Sequence, residues 1–95
     1  MRPSEALAKH RDEVLAILAR YPVSNPRIFG SVARGEDTED SDLDLLVDAE
    51  QMSTFDFARL ELELEAATET RVEVKSLLDL SSRAQVRVLF DAVSL

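Results

Sequence analysis

Only two of the chain's 95 residues are glycine, and both fall within Gly30-Ser31-Val32-Ala33-Arg34-Gly35. Just upstream, Pro26 leads into the short apolar stretch Arg27-Ile28-Phe29, which reads as a strand running straight into Gly30. The residues from Ser31 to Gly35 fit a short helical turn. A glycine after a strand lets backbone approach an anion with no Cβ in the way, and the N–H groups of a following helical turn point at it. Ser31 adds a hydroxyl donor and Arg34 a cation one turn further on. Taken alone, the segment serves equally well as a tight turn in which Arg34 pairs with nearby acids.

The rest of the chain supplies helices and strands around this turn. Residues 4 to 21 read as an amphipathic helix that Ser4 can cap, with Leu7, Val14, Leu18 and Tyr21 at near-helical spacing and Pro22 as its stop. His10, the only histidine, stands among Lys9, Arg11 and Asp12, so it is expected to face solvent and to have no catalytic or metal-binding role. Leu43-Asp44-Leu45-Leu46-Val47 predicts a strand over about residues 43 to 48. Ser53 with Asp56 resembles a capping box, and Phe57, Leu60, Leu64 and Ala67 continue as a helical stripe. Leu60-Glu61-Leu62-Glu63-Leu64-Glu65 also alternates as a strand would, but its length and its helix-forming residues favour helix. Arg71-Val72-Glu73-Val74 predicts a third strand, residues 82 to 91 a final helix, and residues 92 to 95 a short last strand.

This length holds one small core, residues 1 to 95 as a single domain, with no room for a second lobe. The absence of cysteine excludes a disulfide framework and a thiolate zinc site. Without an apolar leader or spanning segment, the expected location is the cytoplasm and membrane residence is not expected. A formal charge of −8 opposes extended nucleic-acid binding, which depends on Lys and Arg neutralising phosphates. Acid is concentrated between residues 36 and 50, where no basic residue occurs. Glu36, Asp37, Glu39 and Asp40 read as a solvated loop.

Asp42 and Asp44 read differently. Side chains at i and i+2 of a strand leave the same face, with Cα atoms roughly 6.5 Å apart, so two carboxylates converge while Leu43 points away. Like charges so placed repel, and a fold that keeps them ionised usually offers them a cation. Mg²⁺ suits the pair, since it is typically held by one or two carboxylates together with substrate phosphates.

The stretch from Gly30 to Gly35, followed after five residues by Ser41-Asp42-Leu43-Asp44-Leu45-Leu46-Val47, closely resembles the signature of the minimal nucleotidyltransferases of the DNA polymerase beta superfamily. The resemblance covers nearly the whole chain in element order. It implies an α/β (α+β) fold, a small mixed sheet flanked by helices. It further implies that Gly30, Ser31, Arg34, Gly35 and Ser41 serve the nucleotide, ATP. Asp42 and Asp44 would bind two Mg²⁺ ions that activate an attacking hydroxyl and stabilise leaving pyrophosphate. The family's third acid is usually aspartate in a Val-Asp-Leu-like strand. Glu73 stands at that place, longer by one methylene, as a third metal ligand and catalytic residue or as an exposed strand glutamate.

Small members of this family are similar to antitoxins whose partner is an RNA-cleaving HEPN toxin. That implies transfer of AMP from ATP to a tyrosine of the toxin, whose RNA-binding face would be basic and complementary to the acidic segment. A different class is a non-catalytic antitoxin that masks its partner. A third reading is transfer to a small molecule or tRNA, which the missing second lobe and the acidic charge disfavour.

Overall fold

The computed structural model describes every residue from Met1 to Leu95. Proline at the first helical position is preset for helix and lacks only an N–H that would be free anyway. Helix α1 accordingly starts at Pro3 and runs to Leu18, with Arg2 and not Ser4 at the cap. Arg2 donates its backbone N–H and its Nε to Glu5 Oε1, at 3.0 and 3.2 Å. Ser4 lies inside the first turn, and its N–H is accepted by Asp37 Oδ2 at 2.9 Å.

Asp37 therefore departs from the expected solvated loop. It is buried and joins the loop after the glycine turn to the N-terminus of α1, where the helix favours negative charge. Burial, the largest single effect, pushes its carboxyl up, but hydrogen bonding from Ser4 and from its own backbone, with the charge of Arg2, together hold it below the ordinary aspartate range. His10 also departs from expectation. It sits at a kink in α1, partly buried, with Nδ1 3.4 Å from Glu13.

The remaining elements are β1 (Val23–Phe29), α2 (Gly30–Arg34), β2 (Leu43–Ala49), α3 (Thr54–Thr68), β3 (Val72–Ser76), a 3-10 turn (Leu77–Asp79), α4 (Ser82–Asp91) and β4 (Val93–Ser94). Strand β1 is longer than its apolar residues suggest. Its pairing with β2 is irregular between Ser24 and Arg27, where Asn25 takes a φ of 53°, as bulges allow. The sheet order is β3-β2-β1-β4. Strand β1 is antiparallel to both β2 and β4, while β2 and β3 run parallel through α3, giving the expected small mixed sheet with flanking helices.

Strand alternation divides the sheet into two faces. Leu43, Leu45 and Val47 of β2 and Val72 and Val74 of β3 form one core with Leu7, Val14, Ile17 and Leu18 of α1 and Leu60 and Leu64 of α3. Within the ambiguous Leu-Glu run, Leu60 and Leu64 are fully buried while Leu62 is 66% exposed. Helical period therefore wins over alternation, and each buried leucine contributes roughly 1.5–3 kcal/mol relative to exposure. Asp44 and Glu73 take the opposite face because their neighbours in sequence belong to the core. No helix is long and apolar enough to cross a membrane.

Candidate active site

The glycine turn and the central strand meet at one point. Strand β1 ends at Phe29, whose partner across β2 is Asp44, and the chain then turns through Gly30 at φ +73°. A Cβ on Gly30 would lie 2.6 Å from Asp44 Oδ2. Gly30 is thus required twice, for its left-handed backbone and because the Asp44 carboxylate occupies the space of a side chain. Gly35 closes α2 at φ +72° with open space around it, so conformation alone requires glycine there. Its N–H bonds to Val32 O, and Glu36 N–H to Ser31 O, satisfying helix-end carbonyls.

From the other side, β3 places Glu73 directly opposite Asp44 in the parallel register. The Asp44 carboxyl is pushed up from 3.8 to about 6, first by burial, then by Glu73 and Asp42, against weaker opposing effects of Lys75 and Arg34. Such a raised value marks a carboxylate whose charge is disfavoured first by burial and then by two neighbouring acids, more than the protein's own cations offset.

Asp42 precedes β2. Arg71 Nε stands 3.0 Å from its Oδ1, but the contact lacks hydrogen-bond alignment, and Oδ1 is buried with no hydrogen-bond partner. A buried carboxylate oxygen left without a donor is costly. The Arg71 guanidinium offsets its charge but leaves its hydrogen-bonding capacity unused. Asp44 and Glu73 lie on neighbouring strand positions and Asp42 just before β2, without the three carboxylates being drawn together, and no set of three His, Cys, Asp or Glu side chains stands ready around a single ion. Mg²⁺ does not require such a set, because substrate phosphates and water complete its shell. The Asp42 oxygen without a hydrogen bond and the side-chain-free approach of Gly30 to Asp44 fit a cation carried in with a triphosphate.

The remaining sequence-identified residues are placed as follows. Ser31 is partly exposed in the first turn of α2. Arg34 is bound to acids: its Nη1 donates to Asp91 Oδ2 at 3.0 Å and its Nε to Glu36 Oε2 at 3.4 Å. Ser41 closes the preceding loop, its Oγ accepting from Thr38 N–H at 2.9 Å. Sequence reading missed Lys75, whose Nζ is 3.6 Å from Glu73 Oε1. Its spacing of two from Glu73 on a strand was the available signal. It also missed Asp91, for which no local signal exists, since it meets Arg34 only through the packing of α4 on α2.

The site is an open face. A cavity of about 410 Å³, lined by Pro22, Val23, Ser24, Asp48, Glu50 and Gln51, lies at the other end of β1 and β2. Arg27 and Asp48 form a partly buried ion pair at that end, with 2.9 Å between Nη2 and Oδ1.

Residues 7–93 match the model of the nucleotidyltransferase domain. The protein adenylyltransferase MntA of Thermococcus cleftensis is 39% identical over 88 residues, which are 92% of this chain and 86% of that protein. A solved structure carrying a provisional assignment as a minimal nucleotidyltransferase superposes with a TM-score of 0.84 at 45% identity, over 97% of this chain and 95% of its own. The crystal structure of a toxin–antitoxin with AMP-PNP reaches a TM-score of 0.79 over 87% of this chain and 69% of that one, and its 20% identity makes this a likeness of fold alone.

Proposed function

Because the chain belongs to the nucleotidyltransferase domain family, we propose that this nucleotidyltransferase is a Mg²⁺-dependent protein adenylyltransferase, moving AMP from ATP to a tyrosine of a partner protein. The partner in this reading is an RNA-cleaving toxin of the HEPN type, which the modification silences in the cytosol. Support comes from the MntA relative and from the fold shared with a toxin–antitoxin that holds an ATP analogue. The observation that carries the reading is the juxtaposition of Gly30, Asp44 and Glu73. Backbone without a side chain, a carboxylate with raised proton affinity and a second carboxylate stand together at one end of the sheet.

The roles follow from that placement. Gly30 and Ser31 receive the triphosphate with backbone and hydroxyl donors, and Arg34 leaves Asp91 and Glu36 to meet it. Gly35 and Ser41 hold the flanking loop in shape. Asp42 and Asp44, with Glu73, would hold two Mg²⁺ ions, which when bound supply charge neutralisation of the phosphates and a lowered pKa of the attacking hydroxyl. The tyrosine oxygen forms a bond to the α-phosphorus as the bond to the β-phosphate oxygen breaks. Pyrophosphate leaves, and Glu73 takes the phenol's proton. An open face without a cleft does nothing to position a small acceptor, and positioning accounts for much of the rate in such transfers. A folded partner brings its own docking surface. Glu36, Glu39 and Asp40 remain exposed to attract a basic one.

The test is transfer of α-phosphate label from ATP to the partner by wild type and by the Asp42→Asn, Asp44→Asn double variant. Loss of labelling with an unchanged circular dichroism spectrum is expected, and undiminished labelling overturns the assignment. One observation favours the non-catalytic antitoxin: Arg34 is committed to Asp91 and Glu36. In that case the double variant would still neutralise the toxin, and wild type would leave it unlabelled.

A further inference from the structure

Helix α4 is the least buried helix of the fold. It has no buried residue; Ala84, Val88 and Asp91 are only partly covered, on its inner side. Outward, Arg83, Val86, Arg87 and Phe90 follow the spacing i, i+3, i+4, i+7 and so share one face. Phe90 is 90% exposed and Val86 72%, and the exposed Leu89 and Val93 widen the apolar strip. Single exposed apolar side chains are ordinary, but a contiguous strip on one helix face marks a contact surface.

Two further features say what meets it. In a chain with a formal charge of −8, Arg83 and Arg87 form no ion pair and so put two uncompensated cations on the same face as the apolar strip; Lys9, Arg11 and Arg59 are also unpaired but lie on other helices, while Arg2, Arg20, Arg27, Arg34, Arg71 and Lys75 each have a carboxylate partner. The C-terminal end of α4 is also tied to the nucleotide turn through Arg34 and Asp91 at 3.0 Å. A protein seated on the strip would therefore lie beside the reacting centre.

We infer that the outer face of α4, formed by Arg83, Val86, Arg87 and Phe90, is the docking surface for the acceptor protein, and that the acceptor meets it with an apolar cleft rimmed by carboxylates. This rests on the proposed transfer of AMP to a protein. Phe90 and Val86 supply the apolar anchors and the two arginines fix register, in the usual division between a desolvated centre and a polar rim. The acceptor's modified side chain is then presented across α2 toward Asp44. The exposed acids Glu36, Glu39 and Asp40 act at longer range on encounter, so the two surfaces have separable effects on affinity and on rate.

The test uses the whole chain, Mg²⁺ and ATP labelled at its α-phosphate, added to extract of the source cell, with the labelled polypeptide identified by mass spectrometry. Val86→Asp and Phe90→Asp each place a charge where the side chain is already in water, so the fold is retained. Each is expected to lower acceptor labelling by at least about ten-fold, with ATP–Mg²⁺ affinity by calorimetry equal to wild type. Arg87→Glu is expected to lower it less, by a factor that shrinks as salt rises. Labelling at the wild-type rate by both aspartate variants overturns the inference. So does a parallel loss of ATP affinity, which would place the effect in the Arg34–Asp91 contact. A wild-type dimer that Phe90→Asp dissolves while labelling persists would assign the strip to a second copy of this chain instead. If wild type labels no protein, the proposed function falls, and this surface with it.

Discussion

Replacing Asp44 by asparagine should stabilise the metal-free protein while abolishing its chemistry. The Asp44 carboxyl is raised from 3.8 to about 6, so the folded state binds this proton more tightly than the unfolded chain. Stability falls as pH rises through that interval, and the full penalty is present above it. At about 1.4 kcal/mol for each tenfold change in proton affinity, the penalty is at most about 3 kcal/mol. The carboxyl is only partly buried, and solvent screening reduces this to about 1–2 kcal/mol. Asparagine keeps the shape and removes the charge beside Glu73 and Asp42. In EDTA at pH 8, Asp44→Asn should therefore melt about 5–10 °C above wild type, and the difference should vanish below about pH 3, where Asp44 is protonated in both states. Mg²⁺ with a non-hydrolysable ATP analogue should raise the wild-type melting point and leave the variant's unchanged. Thermal unfolding across pH, with and without metal, reads all of this. A variant no more stable than wild type at pH 8, or a difference independent of pH, would refute the destabilisation of the Asp44 carboxylate by burial and by its acidic neighbours.

Other substitutions test neighbouring parts of the site. Gly30→Ala should lose about 2 kcal/mol or more in chemical denaturation, since a left-handed backbone and a 2.6 Å approach to Asp44 act together; an unchanged midpoint would mean that Asp44 moves aside freely. Arg34→Ala should weaken ATP–Mg²⁺ binding about ten-fold by calorimetry, less than its charge alone suggests because Asp91 and Glu36 already hold the guanidinium. Equal affinity would leave Arg34 a structural link between α2 and α4. Asp37→Ala should cost about 1–2 kcal/mol of stability through loss of the bond to Ser4 N–H, with no change in ATP affinity; a neutral result would return Asp37 to the solvated loop.

What the sequence made legible was local. The glycine turn, the Asp42-Leu43-Asp44 alternation, the Ser53–Asp56 capping box and the burial of Leu60 and Leu64 each depend on residues a few positions apart, where helix and strand periods apply directly. The order of elements around the turn was readable for the same reason. The contacts that escaped join distant parts of the chain: Asp37 with Ser4, Arg34 with Asp91, Arg27 with Asp48. Each pairs residues whose type, read alone, indicates only a polar surface. Lys75 is the exception, since its spacing from Glu73 placed both on one face.

The departure at the third acid takes its meaning from α3. Strand β3 is a sheet edge, and edges with free N–H groups are open to pairing and to slip. Here Glu65 accepts from Val72 N–H at 3.0 Å and Glu61 from Val74 N–H at 2.8 Å, so the two amides on either side of Glu73 are held by carboxylates of the helix packed behind them. Those glutamates read in sequence as the polar half of an alternating run; in the fold they close the edge and fix the register that sets Glu73 opposite Asp44. With its backbone so held, the extra methylene of Glu73 lengthens the reach of its carboxylate from that strand. In the proposed transfer, Glu73 on this edge and Asp44 on the central strand would approach the metal-bearing phosphates from neighbouring strands. On this reading the longer third acid is compatible with catalysis, provided that α3 keeps Glu61 and Glu65 in place.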